Sequence, residues 1–130
     1  NIEPGPLEDV LVASPLIEQV MLVGQDERQL AALIVPRAEV IVDWAREQGL
    51  NLADDLGGKP ADQALLRLLM QECNRLLKQR VGARGDERLA GVVLVDPFTI
   101  DNGLLTQTLK QRRDRITARD HARIRGMYNR

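Results

Sequence analysis

Aromatic residues are almost absent from the sequence: Trp44, Phe98 and Tyr128 are the only three among 130 residues. A core must therefore be built from aliphatic side chains and Met, and nucleic-acid binding through base stacking is disfavoured. Cys73 is the only cysteine, which excludes an internal disulfide and leaves a zinc site without a second thiolate. No apolar run is long enough to cross a bilayer, and the N-terminus lacks the pattern of a secretory signal. These absences predict a soluble, cytoplasmic protein.

Charge is distributed unevenly along the chain, although the formal net charge is only -1. Residues 110–130, here called the basic tail, contain eight Lys/Arg and two Asp/Glu, whereas residues 1–109 contain ten and seventeen. Such a tail suits a phosphate, an acidic protein or a nucleic acid as partner. A solvated helix face rich in arginine is the plainer interpretation, and the charge pattern alone leaves both open.

Hydrophobic periodicity predicts one α+β domain with a small, three-stranded, mainly antiparallel sheet and helices packed against it. We expect the first two strands to form a hairpin through residues 25–29, and the third strand to lie in the centre of the sheet. The predicted elements are a helix from Pro6 to about Ser14, strands Ile17–Val23 and Leu30–Val35, helices Ala38–Gln48 and Leu65–Val81, a strand Gly91–Val95, and a closing basic helix.

No complete active site is visible in the sequence. A Gly-rich phosphate loop, a Ser-His-Asp arrangement and a metal-ligand cluster around His121 are all missing. Gly57-Gly58-Lys59 lacks the first glycine of a phosphate loop and is followed by Pro60 where Ser or Thr would bind magnesium, so we interpret it as a loop. We expect His121 to be exposed on a helix, and Cys73 and Trp44 to pack in the core.

The segment from Gly103 to Arg113 is the best candidate site. Its Lys110 follows a turn-prone loop with Thr106 and Thr108 and precedes several arginines. A mobile loop with one long cationic side chain suits insertion into the active site of another domain, where the ammonium would neutralise charge on a carboxylate or phosphate oxygen. The structural alternative is a surface lysine at the start of a helix.

Two separated segments resemble acyl-CoA synthetases and related adenylate-forming enzymes. Residues 1–8, Asn-Ile-Glu-Pro-Gly-Pro-Leu-Glu, resemble the segment just after the hinge of those enzymes, and residues 102–113 resemble their last core motif, with Lys110 at the position of its lysine. Residues 20–26 and 30–36 resemble the strand pair of the same family. The likeness spans nearly the whole chain, and the start at Asn1 without a Met suggests a part of a longer protein.

The resemblance implies that residues 1–130 form the C-terminal lid domain, which rotates between two reactions of the parent enzyme. Lys110 would enter the active site for adenylation, on a loop shaped by Gly103, Thr106 and Thr108. The edge formed by Asn1, Ile2, Glu3 and Pro4 would line the channel for a phosphopantetheine thiol. ATP and Mg²⁺ would be bound mainly by the N-terminal adenylation domain, with no metal bound by this chain, and the separate fragment should be inactive.

The position before the lysine favours a subclass of that family. The common form has Gly there, whereas this chain has Leu109, a variation that resembles long-chain fatty-acid ligases. The thiol acceptor stays open: CoA or acyl carrier protein both fit, and the basic tail would complement an acidic carrier protein. Peripheral membrane contact by the parent stays open too. The rival hypotheses are a free-standing binding module that uses the basic tail, and a purely structural or dimerising domain.

Overall fold

The computed structural model describes residues 2–24, 29–52 and 62–128. Its elements agree in kind and order with those expected from the periodicity, except that two short helices take the place of the single closing basic helix. Asn1, most of the hairpin loop and Gly57-Gly58-Lys59 lie outside the described residues. The elements are α1 (Pro4–Val12), β1 (Ile17–Val23), β2 (Leu30–Pro36), α2 (Ala38–Glu47), α3 (Gln63–Gln79), β3 (Leu89–Leu94), α4 (Arg113–Arg119) and α5 (His121–Tyr128).

The strand order is β1-β2-β3, so the prediction of a central third strand is wrong. β1 pairs with β2 in the expected antiparallel manner, whereas β3 runs parallel to β2 at the edge of the sheet. The central strand is β2, whose residues from Leu30 to Val35 are all buried. The α+β class and the three strands are confirmed. The parallel pairing arises because α2 and α3 carry the chain back across the sheet before β3 begins.

Each face of the sheet has its own apolar core, because alternate residues of a strand point to opposite faces. α1, α2 and α3 cover the first face, on which Ala32 and Ile34 are fully buried. The segment after β3 covers the second face, where Leu104, Leu105 and Ile116 pack against Leu33. The second core therefore holds the segment that contains the predicted lysine.

The remaining structural expectations for single residues are confirmed. Trp44 is partly buried and packs against the first core. Cys73 is fully buried on α3, and His121 is exposed on α5. Burial raises the pKa of the Cys73 thiol to about 12, because the apolar surroundings disfavour the thiolate.

We expect Cys73 to be inert towards thiol reagents in the folded domain. The raised pKa keeps the thiol protonated up to pH values well above 8, and the thiolate is the reactive species. Ellman's reagent at pH 8 should modify Cys73 rapidly in concentrated urea and very slowly in native buffer. Equal rates in the two conditions would contradict the buried position.

Candidate functional site

Lys110 lies on a short hairpin between β3 and α4 that is more regular than the sequence suggested. The N–H of Thr106 donates to the Lys110 carbonyl at 2.8 Å, and the N–H of Leu109 donates to the Thr106 carbonyl at 2.9 Å. An antiparallel bridge joins Leu105 to Gln111. The expected irregular, mobile loop is thus a tight turn closed by its own backbone hydrogen bonds.

Both predicted threonines lie next to Lys110 in this turn. The Thr106 hydroxyl accepts the Lys110 N–H at 3.0 Å and lies 3.2 Å from the Thr108 hydroxyl. Gly103 has a φ of 80°, a left-handed conformation that suits glycine. Lys110 itself is exposed, and the described residues offer its ammonium group no hydrogen-bond or ion-pair partner. The side chain is therefore available to a group outside this domain.

Leu109 has an unfavourable backbone conformation directly before the lysine. Its φ is 65°, and it is the one non-glycine residue with a positive φ among those described. A left-handed backbone costs an L-residue with a side chain about 1–2 kcal/mol. The side chain is 66% exposed, so burial offsets little of this cost. The geometry gives a physical reason for the glycine that the related motif commonly has at this position.

Substitution of Leu109 should change stability according to backbone preference. Leu109→Gly should raise the free energy of unfolding by roughly 0.5 kcal/mol, because relief of the strain exceeds the entropy cost of glycine. Leu109→Val should lower it by about 1 kcal/mol, since β-branched residues tolerate this region least. Urea denaturation of the three proteins measures the order. A glycine variant as unstable as the valine variant would contradict the strain.

Two side chains after Lys110 connect its hairpin to the outer edge of β1, one directly and the other through Glu8 of α1. The Gln111 amide donates to the Val20 carbonyl at 2.7 Å. Arg113 donates to both oxygens of the Glu8 carboxylate at 2.6 and 2.9 Å, and that carboxylate also accepts the N–H of Leu22 at 2.8 Å. Glu8 is 8% exposed, and its hydrogen bonds raise the pKa of Arg113. Together these contacts join α1, β1 and the start of α4.

Glu8 was not predicted as a member of the site, and no role was predicted for Gln111 and Arg113 at the end of the candidate segment. Glu8 lies on α1 between Leu7 and Leu11, both of which are fully buried. Its partner is 105 residues away. The one available signal was a carboxylate in an apolar helical stretch, which in a folded protein requires a partner.

A groove of about 490 Å³ separates α1 and β1 from the hairpin. Lys110 and Leu109 line it from the hairpin, and Asp9, Val12 and Glu18 line it from the other side. Val12 is 40% exposed. The rim of the groove therefore combines a cation with carboxylates and exposed apolar groups.

The predicted N-terminal edge lies apart from this groove. Ile2 is half-buried against the first core, Glu3 is exposed, and Pro4 is the first residue of α1. None of the three lines the groove beside Lys110, whereas Asp9 and Val12 near the other end of α1 do. Asp9 lies five residues after Pro4, about 8 Å further along the helix, so the predicted edge and the groove occupy different parts of α1. Asn1 lies outside the described residues.

The basic tail forms many contacts within the domain itself. Arg119 donates to the carbonyls of Pro97 and Asp96 at 2.9 and 2.7 Å and stacks over Phe98 at 5.4 Å. It also pairs with Asp120, which is 6% exposed. Arg123 donates to the Leu94 carbonyl at 2.6 Å. These arginines hold α4 and α5 against the end of β3. Their contacts argue against a basic tail whose only role is to bind an external anion.

Replacement of Arg119 should destabilise the domain. Arg119→Ala removes two hydrogen bonds to backbone carbonyls and leaves the buried Asp120 carboxylate without its ion pair, a loss of about 1–3 kcal/mol. Arg125→Ala is the matched control from the same tail, because the described residues give Arg125 no partner, and it should stay within about 0.5 kcal/mol of the parent. Chemical denaturation of both variants measures the difference. Similar effects would show that the Arg119 contacts contribute little.

Two kinds of feature are absent from the described ranges: a metal-binding cluster and a membrane-spanning helix. No group of three His, Cys, Asp or Glu residues there could hold a metal ion. None of the helices in the same ranges has the length and apolar character that a membrane crossing requires.

Several known proteins are similar to this chain over nearly its whole length. A family model described as AMP-binding enzyme C-terminal domain matches residues 1–53. The probable chloroplastic acyl-activating enzyme 16 of Arabidopsis thaliana is 31% identical over 98% of this chain. The chloroplastic long-chain-fatty-acid (acyl-carrier-protein) ligase AEE15 of the same plant is 32% identical over 99%. This chain belongs to the AMP-binding enzyme C-terminal domain family.

This chain spans only 17% and 16% of the length of those two relatives. Long-chain-fatty-acid CoA ligase 1 of Cavia porcellus is 28% identical over 98% of this chain, which spans 18% of that protein. The fold is shared with the A-PCP didomain of carboxylic acid reductase from Segniliparus rugosus, solved in complex with AMP. That match has a TM-score of 0.74 and 23% identity, and it covers 98% of this chain and 16% of the other.

Proposed function

We propose that this domain is the lid of an ATP-dependent long-chain fatty-acid ligase. The enzyme would convert a fatty acid to its acyl-adenylate and transfer the acyl group to a phosphopantetheine thiol. One observation carries this proposal: the exposed ammonium group of Lys110, at the motif position of the family's lysine, projects from an ordered hairpin without a partner among the described residues. The names of the relatives, which include a long-chain ligase for acyl carrier protein and one for CoA, support the substrate class.

Lys110 would act in the first reaction, in which a carboxylate oxygen attacks the α-phosphorus of ATP and pyrophosphate leaves. Negative charge accumulates on the phosphoryl oxygens, and both reactants are anions. An ammonium group held between them reduces their repulsion and stabilises the transition state. A hairpin closed by hydrogen bonds suits this role. Because the backbone of Lys110 is already fixed, only its side chain loses conformational freedom when the lid closes.

The second reaction would use the other end of α1. The thiol attacks the carbonyl carbon of the acyl-adenylate, and AMP leaves. The lid would turn so that the edge at Ile2, Glu3 and Pro4, with Asn1 before it, lines the thiol channel. The separation of this edge from Lys110 along α1 supports the idea that one rigid domain presents two surfaces in turn.

ATP is a substrate of this reaction, and its Mg²⁺ would be bound mainly by the N-terminal adenylation domain. The partners of the domain would be its own N-terminal adenylation domain, the fatty acid, ATP, and CoA or acyl carrier protein. The isolated chain should be inactive.

The test is Lys110→Ala in the full-length parent enzyme. Release of pyrophosphate should fall by about 10²-fold or more, as when one preorganised donor to a transition state is lost. Thioester formation from supplied acyl-adenylate should change far less, since that reaction uses the other surface. Lys78→Ala is the matched control, because Lys78 is an exposed lysine in the last turn of α3. An unchanged rate of adenylation in Lys110→Ala would remove this assignment.

A further inference from the structure

The two strands of the Lys110 hairpin are fixed by different forces. The strand before the turn contains Leu104 and Leu105, which are 5% and 9% exposed and belong to the second core. The strand after the turn contains no buried residue until Ile116. Burial thus places the first strand. The second strand, which begins with Lys110, is held by backbone hydrogen bonds to the first and by polar side-chain contacts with the sheet edge.

Those polar contacts alternate along the second strand. Gln111 binds β1 and Arg113 binds α1, whereas the residue before each of them, Lys110 and Arg112 respectively, is exposed. Alternate side chains of an extended segment lie on opposite sides. The contact of Gln111 with Val20 therefore also directs Lys110 away from the sheet edge, and the contact of Arg113, the first residue of α4, fixes the point where the extended segment ends.

The contact at Glu8 has the more specific geometry of the two. A bidentate pair between guanidinium and carboxylate fixes the distance and the relative orientation of the two groups. The third hydrogen bond, from the Leu22 N–H, fixes the carboxylate relative to β1. Glu8 is shielded from solvent, while Arg113 is 40% exposed, so the partner in the hairpin is the more accessible of the two.

We propose that Glu8 and Arg113 are a positioning pair for Lys110, an inference that rests on the proposed function of that lysine. The pair fixes the start of α4 against α1 and β1, and Gln111 supports it through Val20. Neither residue needs to touch the substrate. Their effect is to hold the lysine's backbone where the closed lid delivers the ammonium group to the reacting oxygens.

The test measures both half-reactions of the full-length enzyme with Arg113→Lys and Glu8→Gln. Arg113→Lys keeps the charge but loses the bidentate geometry, and Glu8→Gln keeps an acceptor for the Leu22 N–H. We expect each to lower kcat for pyrophosphate release about tenfold, a size typical of a misplaced catalytic group. Thioester formation from supplied acyl-adenylate should stay within about twofold. Arg119→Lys is the matched control, because that arginine also pairs with a carboxylate but binds the end of β3 instead of the Lys110 hairpin.

A double-mutant cycle separates positioning from general structural damage. With Lys110→Ala already present, Arg113→Lys should cause no further loss of adenylation, since the residue it positions is gone. The inference is overturned if Arg113→Lys causes its full loss of adenylation even in the Lys110→Ala background, or if the rates of both half-reactions fall equally. It is also overturned if Arg113→Lys and Glu8→Gln leave adenylation unchanged while Lys110→Ala abolishes it. An unchanged rate in Lys110→Ala would instead overturn the proposed function. Thermal unfolding confirms that the variants are folded, and if Glu8→Gln is not, Arg113→Lys decides alone.

Discussion

The outer edge of β1 is hydrogen-bonded by side chains from distant parts of the chain, and the candidate site depends on this arrangement. Glu8 from α1 accepts the N–H of Leu22, and Gln111 donates to the carbonyl of Val20. An exposed strand edge leaves backbone donors and acceptors without partners inside the protein. In this domain those backbone groups hold α1 and the Lys110 hairpin in place. The edge of the sheet therefore determines the position of Lys110.

Strain and order occur together in the turn before the lysine. Leu109 keeps a left-handed backbone because the hydrogen bonds between Thr106 and Lys110 close the turn around it. Unfavourable backbone conformations persist only where the surrounding contacts over-determine them, and they are frequent at functional sites. The strained residue next to an exposed cation therefore supports a functional interpretation of this hairpin over a plain surface loop.

The arginines of the basic tail show why charge composition is a weak guide to partners. The charge composition of the tail was equally consistent with an anionic partner and with a solvated helix face. In the fold, Arg119 and Arg123 bind carbonyl groups near the end of β3, and Arg113 binds Glu8. A guanidinium has five N–H donors and no acceptor, so it readily satisfies carbonyls where regular structure ends. Much of the tail's positive charge thus has a structural use.

The sequence by itself determined the kinds and order of most elements, the three strands, the packing of Cys73 and Trp44 with the first core, and the motif that marks Lys110. These follow from local periodicity, from turn residues, and from a resemblance carried by contiguous segments. The tertiary structure alone decided that β3 lies parallel at the sheet edge and that the lysine's loop is an ordered hairpin. It alone brought Glu8 to Arg113, 105 residues apart. A strand's neighbours and a carboxylate's partner depend on how the chain crosses the sheet, and that path leaves no periodic signal in the residues themselves.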